Sequence, residues 1–179
     1  MSNSNANRHL LGFDNHGSVF EFGDVVLRKI NRNYSKQARE YFRIYDQAKL
    51  HRLGFVETAI VDHHEKDELT LSHEKHRITY PFEWPAGMYK DAVLFYLNLL
   101  IALDRYGLTL KDALPSNILF NFSNPVFVDF LSLVSTSSLI NEEWLTPSNY
   151  KGDARNLVFQ KMFLPHFELQ AFEFALQQE

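Results

Sequence analysis

Two short polar segments, each set against strongly apolar chain, constrain this sequence more than anything else in it. Asp112-Ala113-Leu114-Pro115-Ser116-Asn117 follows a long apolar run, and Asp129-Phe130 closes a second one twelve residues after Asn117. The first run, Ala86 to Tyr106 with Gly107 behind it, predicts a long helix. Its middle is apolar on nearly every face, so the helix should be central and buried. Ile118-Leu119-Phe120 and Val126-Phe127-Val128 predict two short strands joined by a turn at Ser123-Asn124-Pro125. The fold must therefore end its apolar elements in side-chain oxygens, an arrangement that keeps ligand geometry precise.

The rest of the chain supplies a β-rich front. Residues 1–8 are polar and rich in Asn and Ser, which predicts a disordered tail. Ser18 to Phe22 and Val25 to Ile30 flank Gly23-Asp24, the pattern of a β-hairpin with a two-residue turn. A helix is expected from an N-cap at Ser35 to a stop at Gly54, with Ala38, Tyr41, Phe42, Tyr45, Ala48 and Leu53 near one face. Short strands are expected at 56–61, 68–72 and 76–80. Pro81 and Pro85 then punctuate the chain around Glu83-Trp84. Phe159 to Leu176 predicts further helix, interrupted by Pro165. No internal repeat is visible. Strands come first and helices later, which predicts an α+β fold with two lobes. Its divisions are a tail over 1–8, an N-lobe over 9–80, a connector over 81–85 and a reduced helical C-lobe over 86–179.

Composition narrows the function classes. A chain of 179 residues holds one domain or two small lobes, and its 16 Phe predict an aromatic core. A net charge of -4, with both signs spread along the chain, argues against a nucleic-acid partner held by a basic face. With no Cys, disulfides, thiolate chemistry and zinc–cysteine sites are excluded. The N-terminus has no apolar core of a signal peptide, and the run from Ala92 to Leu103 is interrupted by Asn98 and too short to span a bilayer. No membrane partner is expected, and the expected location is cytoplasmic.

The polar segments suit phosphoryl transfer. That reaction needs a carboxylate to orient the acceptor hydroxyl and hard oxygen ligands to hold magnesium against the phosphates. Asp112 suits the first task; Asn117 and Asp129 suit the second. Taken alone, the loop reads better as ordinary turn chemistry; the helix before it, the hairpin after it and Asp129 at its end favour the functional reading. Gly12-Phe13-Asp14-Asn15-His16-Gly17-Ser18-Val19 has the spacing of a phosphate-covering loop entering a hairpin, with Asp14 where a middle Gly belongs. A plain turn before a strand reads the same. His63-His64 with Glu65 and Asp67 reads as a solvated turn rather than a metal site.

Together these pieces resemble the protein-kinase-like superfamily and its small-molecule branch, the aminoglycoside phosphotransferases. Asp112 and Asn117 match the catalytic-loop Asp and Asn. Asp129-Phe130-Leu131 resembles the metal-binding Asp-Phe-Gly, with Leu131 replacing Gly. Arg28 falls where the family has its phosphate-pairing Lys, and Glu40 is the candidate to pair with it from the first helix. The resemblance implies a compact two-lobed kinase-like fold, ATP and Mg2+ as cofactors, and a small-molecule or protein acceptor. Backbone groups near Phe82 and Glu83 would bind adenine, while Trp84 is expected to pack the core. A narrower resemblance runs roughly from Val25 to Pro165. Tyr80-Pro81-Phe82-Glu83-Trp84, Leu108-Thr109-Leu110-Lys111-Asp112-Ala113, Asn117, Pro125-Val126-Phe127-Val128-Asp129 and Phe163-Leu164-Pro165 are similar to the N-terminal region of bacterial SAM-dependent methyltransferases, some related to nodulation proteins. No Gly-rich SAM-binding segment is present. The departures from the kinase pattern at Asp14, Arg28 and Leu131 point to one alternative, a pseudokinase-type regulatory module; the narrower resemblance implies another, an accessory front domain with a methyltransferase partner.

Overall fold

The β2–β3 hairpin predicted around Gly23 is the centre of a larger sheet. In this computed structural model the described residues are 9–14, 16–61, 69–111 and 113–137. They fall into two compact units, one within 9–52 and 56–76, the other within 53–55 and 77–137. Asp112, the His63-His64 run and the predicted helix from Phe159 to Leu176 lie outside the described residues.

The first unit holds strands β1 (His9–Asp14), β2 (Gly17–Phe22), β3 (Val25–Ile30), β4 (Thr58–Val61) and β5 (Leu69–Glu74), with helix α1 (Arg32–Gln47). The strands form one antiparallel sheet in the order β1-β2-β3-β5-β4. Gly23 turns the hairpin at φ 59, a conformation glycine adopts without a Cβ penalty. β1 was not anticipated as a strand. It carries a register shift between Leu10 and Gly12, a bulge that hides the alternation expected of a strand.

Gly17 is a glycine for a steric reason. A Cβ there would collide with the backbone carbonyl of Lys29 on β3, whereas one at Gly12 would meet nothing within 4 Å. Gly17→Ala should therefore lower stability by about 1–3 kcal/mol, as overpacking does. Gly12→Ala should stay within about 0.5 kcal/mol. Urea unfolding of the two variants checks this, and equal midpoints would refute the steric account.

Helix α1 starts earlier and stops earlier than its sequence suggests. Asn31 is the N-cap residue, and Ser35 sits inside the first turn, its hydroxyl donating to the Asn31 carbonyl at 3.2 Å. Lys49 adopts φ 52, which breaks the helix well before Gly54; a 3-10 turn, Leu50–Leu53, fills the gap. Ser35, Ala38, Tyr41 and Tyr45 form the buried face. That face packs on β3 and β5.

The second unit holds α2 (Ala86–Asp104), β6 (Leu108–Leu110), β7 (Ile118–Asn121), β8 (Asn124–Phe127) and β9 (Leu133–Ser135). β6 pairs with β9 and β7 with β8, both antiparallel. The β7–β8 turn is Phe122-Ser123, earlier than predicted, and Pro125 lies inside β8 opposite Phe120. Helix α2 buries one face, Ala92, Tyr96, Leu99 and Leu103, against β6 and β8. Leu94 and Ile101 are exposed, so the expectation of a helix buried all round is corrected. The apolar residues outnumber those the packed face can use. By length and composition alone α2 would also suit a bilayer crossing.

The predicted strand at 76–80 does not form. β5 is already paired on both edges, by β3 and β4, and Thr79 instead accepts the Phe120 N–H at 3.3 Å through its hydroxyl. Trp84 is buried, edge-on to Phe120 and Tyr89. The fold class is α+β, as the order of strands and helices predicts.

Candidate functional site

Three backbone segments of the second unit converge around the predicted polar residues. The β7–β8 ladder ends at Ile118 opposite Phe127. Beyond it, the Val128 N–H donates to the Asn117 carbonyl at 2.9 Å. Asn117 closes a 3-10 turn, Pro115–Asn117, and its own N–H donates to the Leu114 carbonyl at 3.0 Å. Asp129 opens the 3-10 turn Phe130–Ser132, whose Ser132 N–H returns to the Asp129 carbonyl at 3.1 Å. The Ser132 carbonyl accepts the Lys111 N–H at 2.8 Å, continuing the β6–β9 ladder to the residue before Asp112.

Local sequence explains why these turns form. Pro115 fixes the start of its turn with a residue that needs no N–H there. Ile118, Phe120 and Phe127 are buried and hold the hairpin to the core. Phe130, Leu131 and Ser132 are buried too. Leu131 thus anchors in apolar packing the position where the resembled motif has Gly. Asn117 and Asp129 are both half-buried. The Val128–Asn117 hydrogen bond joins the backbone segments that carry them.

Tyr96 and the β6–β9 ladder are what sequence reasoning missed. The Tyr96 hydroxyl on α2 donates to the Leu114 carbonyl, bracing the turn that carries Asn117. Phe82 and Glu83 lie in the 3-10 turn Pro81–Glu83. Phe82 is 75% exposed and stacks on Tyr80 with centroids 5.4 Å apart. The Glu83 carboxylate accepts the Tyr80 N–H at 3.4 Å.

In the first unit, Arg28 is 9% exposed on β3, opposite Leu71. Its sheet face also carries His73, which pairs in register with Val26. Tyr45, Thr58 and His73 form a buried polar group on that face. The Tyr45 hydroxyl donates to the Val56 carbonyl at 2.9 Å and accepts the Thr58 N–H at 3.0 Å. Burial raises the Tyr45 pKa despite that accepted bond.

Glu40 does not make the pair with Arg28 that the sequence suggests. Both its carboxylate oxygens bind Arg43, at 2.7 and 3.2 Å, on the exposed face of α1. Those hydrogen bonds hold the Glu40 carboxyl below its ordinary value. The reason is spacing: Arg43 stands three residues on, within reach on the same helix surface. Gly12 and Gly17 lie in β1 and β2, and Asp14 pairs in register with Gly17. Gly17 is accounted for by the close passage of Lys29, and no steric demand falls on Gly12.

Among the described residues, no group of three His, Asp or Glu side chains gathers as a metal cluster. Asn117 and Asp129 offer one amide and one carboxylate, hard donors of the kind magnesium accepts beside phosphate and water. No family model matches the chain. Over 126 residues, the chain is 31% identical to the nodulation protein NoeA of Rhizobium meliloti (strain 1021). The match takes in 67% of this chain and 26% of NoeA, so the chain is similar to about a quarter of that nodulation protein's length.

Proposed function

We propose that the chain is a kinase-like protein that binds ATP with magnesium and transfers phosphate to a hydroxyl acceptor. The observation that carries this reading is the hydrogen bond from Val128 to Asn117, which ties together the two segments whose side chains would share one ion. Asn117 and Asp129 hold the metal in this reading. Asp112, outside the described residues, orients the acceptor hydroxyl in this reading. Magnesium, when bound, supplies charge that offsets the phosphates. Phe82 and Glu83 offer backbone groups to adenine. A cytoplasmic setting goes with this chemistry.

Calorimetric titration with ATP and Mg2+ tests the reading. The wild type should bind, and Asp129→Ala should weaken binding at least tenfold, since a charged ligand to the ion is worth about 1.4 kcal/mol or more. Absence of binding by the wild type, or equal binding by the variant, would sink the assignment.

A second reading is a binding module without turnover, serving as the front domain of a methyltransferase. Two observations favour it. Leu131 is buried in core packing, and Glu40 is engaged by Arg43. The similarity to a nodulation protein, together with the resemblance to methyltransferase N-terminal regions, suggests the partner. ATP turnover measured with hydroxyl acceptors separates the two readings: turnover abolished by Asp112→Ala excludes the pure binding module.

A further inference from the structure

The proposed metal ligands share a single anchor on α2. Tyr96 is 0% exposed, its ring edge-on to Phe127 at 5.8 Å. Its hydroxyl and the Asn117 N–H both donate to the Leu114 carbonyl, using both lone pairs of one oxygen. The Asn117 carbonyl then accepts the Val128 N–H, one residue before Asp129. A run of hydrogen bonds therefore leads from the buried face of α2 to Asn117 and on to Val128, the residue bonded to Asp129.

The geometry points to Tyr96 as a positioning residue for the metal–nucleotide site, an assignment that rests on the kinase-like reading above. Its hydroxyl fixes the Leu114 carbonyl relative to α2. That carbonyl orients the turn carrying Asn117, and Asn117 sets the backbone entering Asp129. Without the hydroxyl, Leu114 keeps its bond to Asn117 but loses its tie to the helix. The turn can then shift against the Asp129 segment, which the Ser132 carbonyl still ties to Lys111. Ligand spacing tolerates little such movement, because magnesium demands near-ideal octahedral geometry. A merely structural tyrosine would do less: it would satisfy one carbonyl and fill space beside Phe127.

Tyr96→Phe in the full chain separates these roles, since it keeps the ring and removes only the donor. Amide hydrogen exchange at Asn117 and Val128 should quicken at least tenfold, while the β2–β3 ladder is unchanged. The gain in ATP affinity on adding Mg2+ should fall at least tenfold, with metal-free ATP binding altered less. An unchanged metal-dependent gain would overturn the positioning role and leave the kinase-like reading standing. Failure of the wild type to bind ATP with Mg2+ would overturn that reading and this role with it. Should Tyr96→Phe not fold, exchange in the wild type decides. Mg2+ with ATP must then slow the Asn117 and Val128 amides together, and binding that slows neither overturns the proposal.

Discussion

Phe127→Ala should cost the second unit about 3–5 kcal/mol, the range for truncating a fully buried aromatic. Phe127 is fully buried on β8. Phe55 meets its ring edge-on at 4.9 Å and Tyr96 at 5.8 Å. Its backbone is engaged as well: the Phe127 N–H donates to the Gly54 carbonyl at 2.8 Å, and Phe55 forms a parallel bridge with it. Gly54 is itself confined, at φ 94, with the Phe95 ring where a Cβ would stand. Such surroundings cannot close over the hole, so the cavity penalty adds to the lost transfer energy.

That loss is a large share of the roughly 5–15 kcal/mol that holds a domain folded. Phe127→Leu should cost less, because most of the volume remains. Urea unfolding followed by the fluorescence of buried Trp84, in a background with Trp144→Phe, reports on this unit. The midpoint should fall sharply with the slope unchanged. A loss below about 1 kcal/mol would mean that Phe127 is not packed as described.

Whether an element was legible depended on how local its cause is. The β2–β3 hairpin announces itself through Gly23-Asp24 between β-branched and aromatic runs, and it forms as read. Helix α2 was legible in extent because Gly107, at φ 66, stops it, but not in burial. An all-apolar pattern gives no indication that neighbours lie on one side only. β6 and β9 are three residues each and pair across a long stretch of sequence. No periodicity can be read in so short a run, so their ladder was invisible. The same holds for the site. Asn117 and Asp129 were legible as residue types in a spacing. The brace from Tyr96 was not, since an aromatic on an apolar helix reads first as core. Glu40 was assigned by helix position, where the local pairing with Arg43 was the nearer competitor.

Acid should destabilise the first unit through His73 well above the pH at which carboxylates protonate. Burial strips water from the imidazolium, and the Arg28 charge nearby opposes a second one; together they push the His73 pKa down to about 3. Thr58 donates its hydroxyl to the Val56 carbonyl at 3.0 Å and so is left to accept from His73 Nδ1–H at 2.9 Å, which fits a neutral ring. In the unfolded chain the same side chain protonates near its ordinary value of about 6.5. Between these two pKa values the unfolded state binds a proton that the folded state does not, so stability rises with pH. The contribution is whole at pH 7 and is lost as pH falls below about 6.5, at up to about 1.4 kcal/mol per pH unit. The total by pH 3 is on the order of 4–5 kcal/mol. The lowered carboxyls of Glu21 and Glu40 act in the same direction only as pH falls through their own range. The slope between pH 6.5 and 5 is therefore where His73 stands apart. Unfolding free energies of wild type and His73→Gln across that interval should show a steeper fall for the wild type, although the variant starts lower. Nuclear magnetic resonance gives the direct check: a His73 ring proton that titrates near pH 6 in the folded protein would contradict the buried, neutral state.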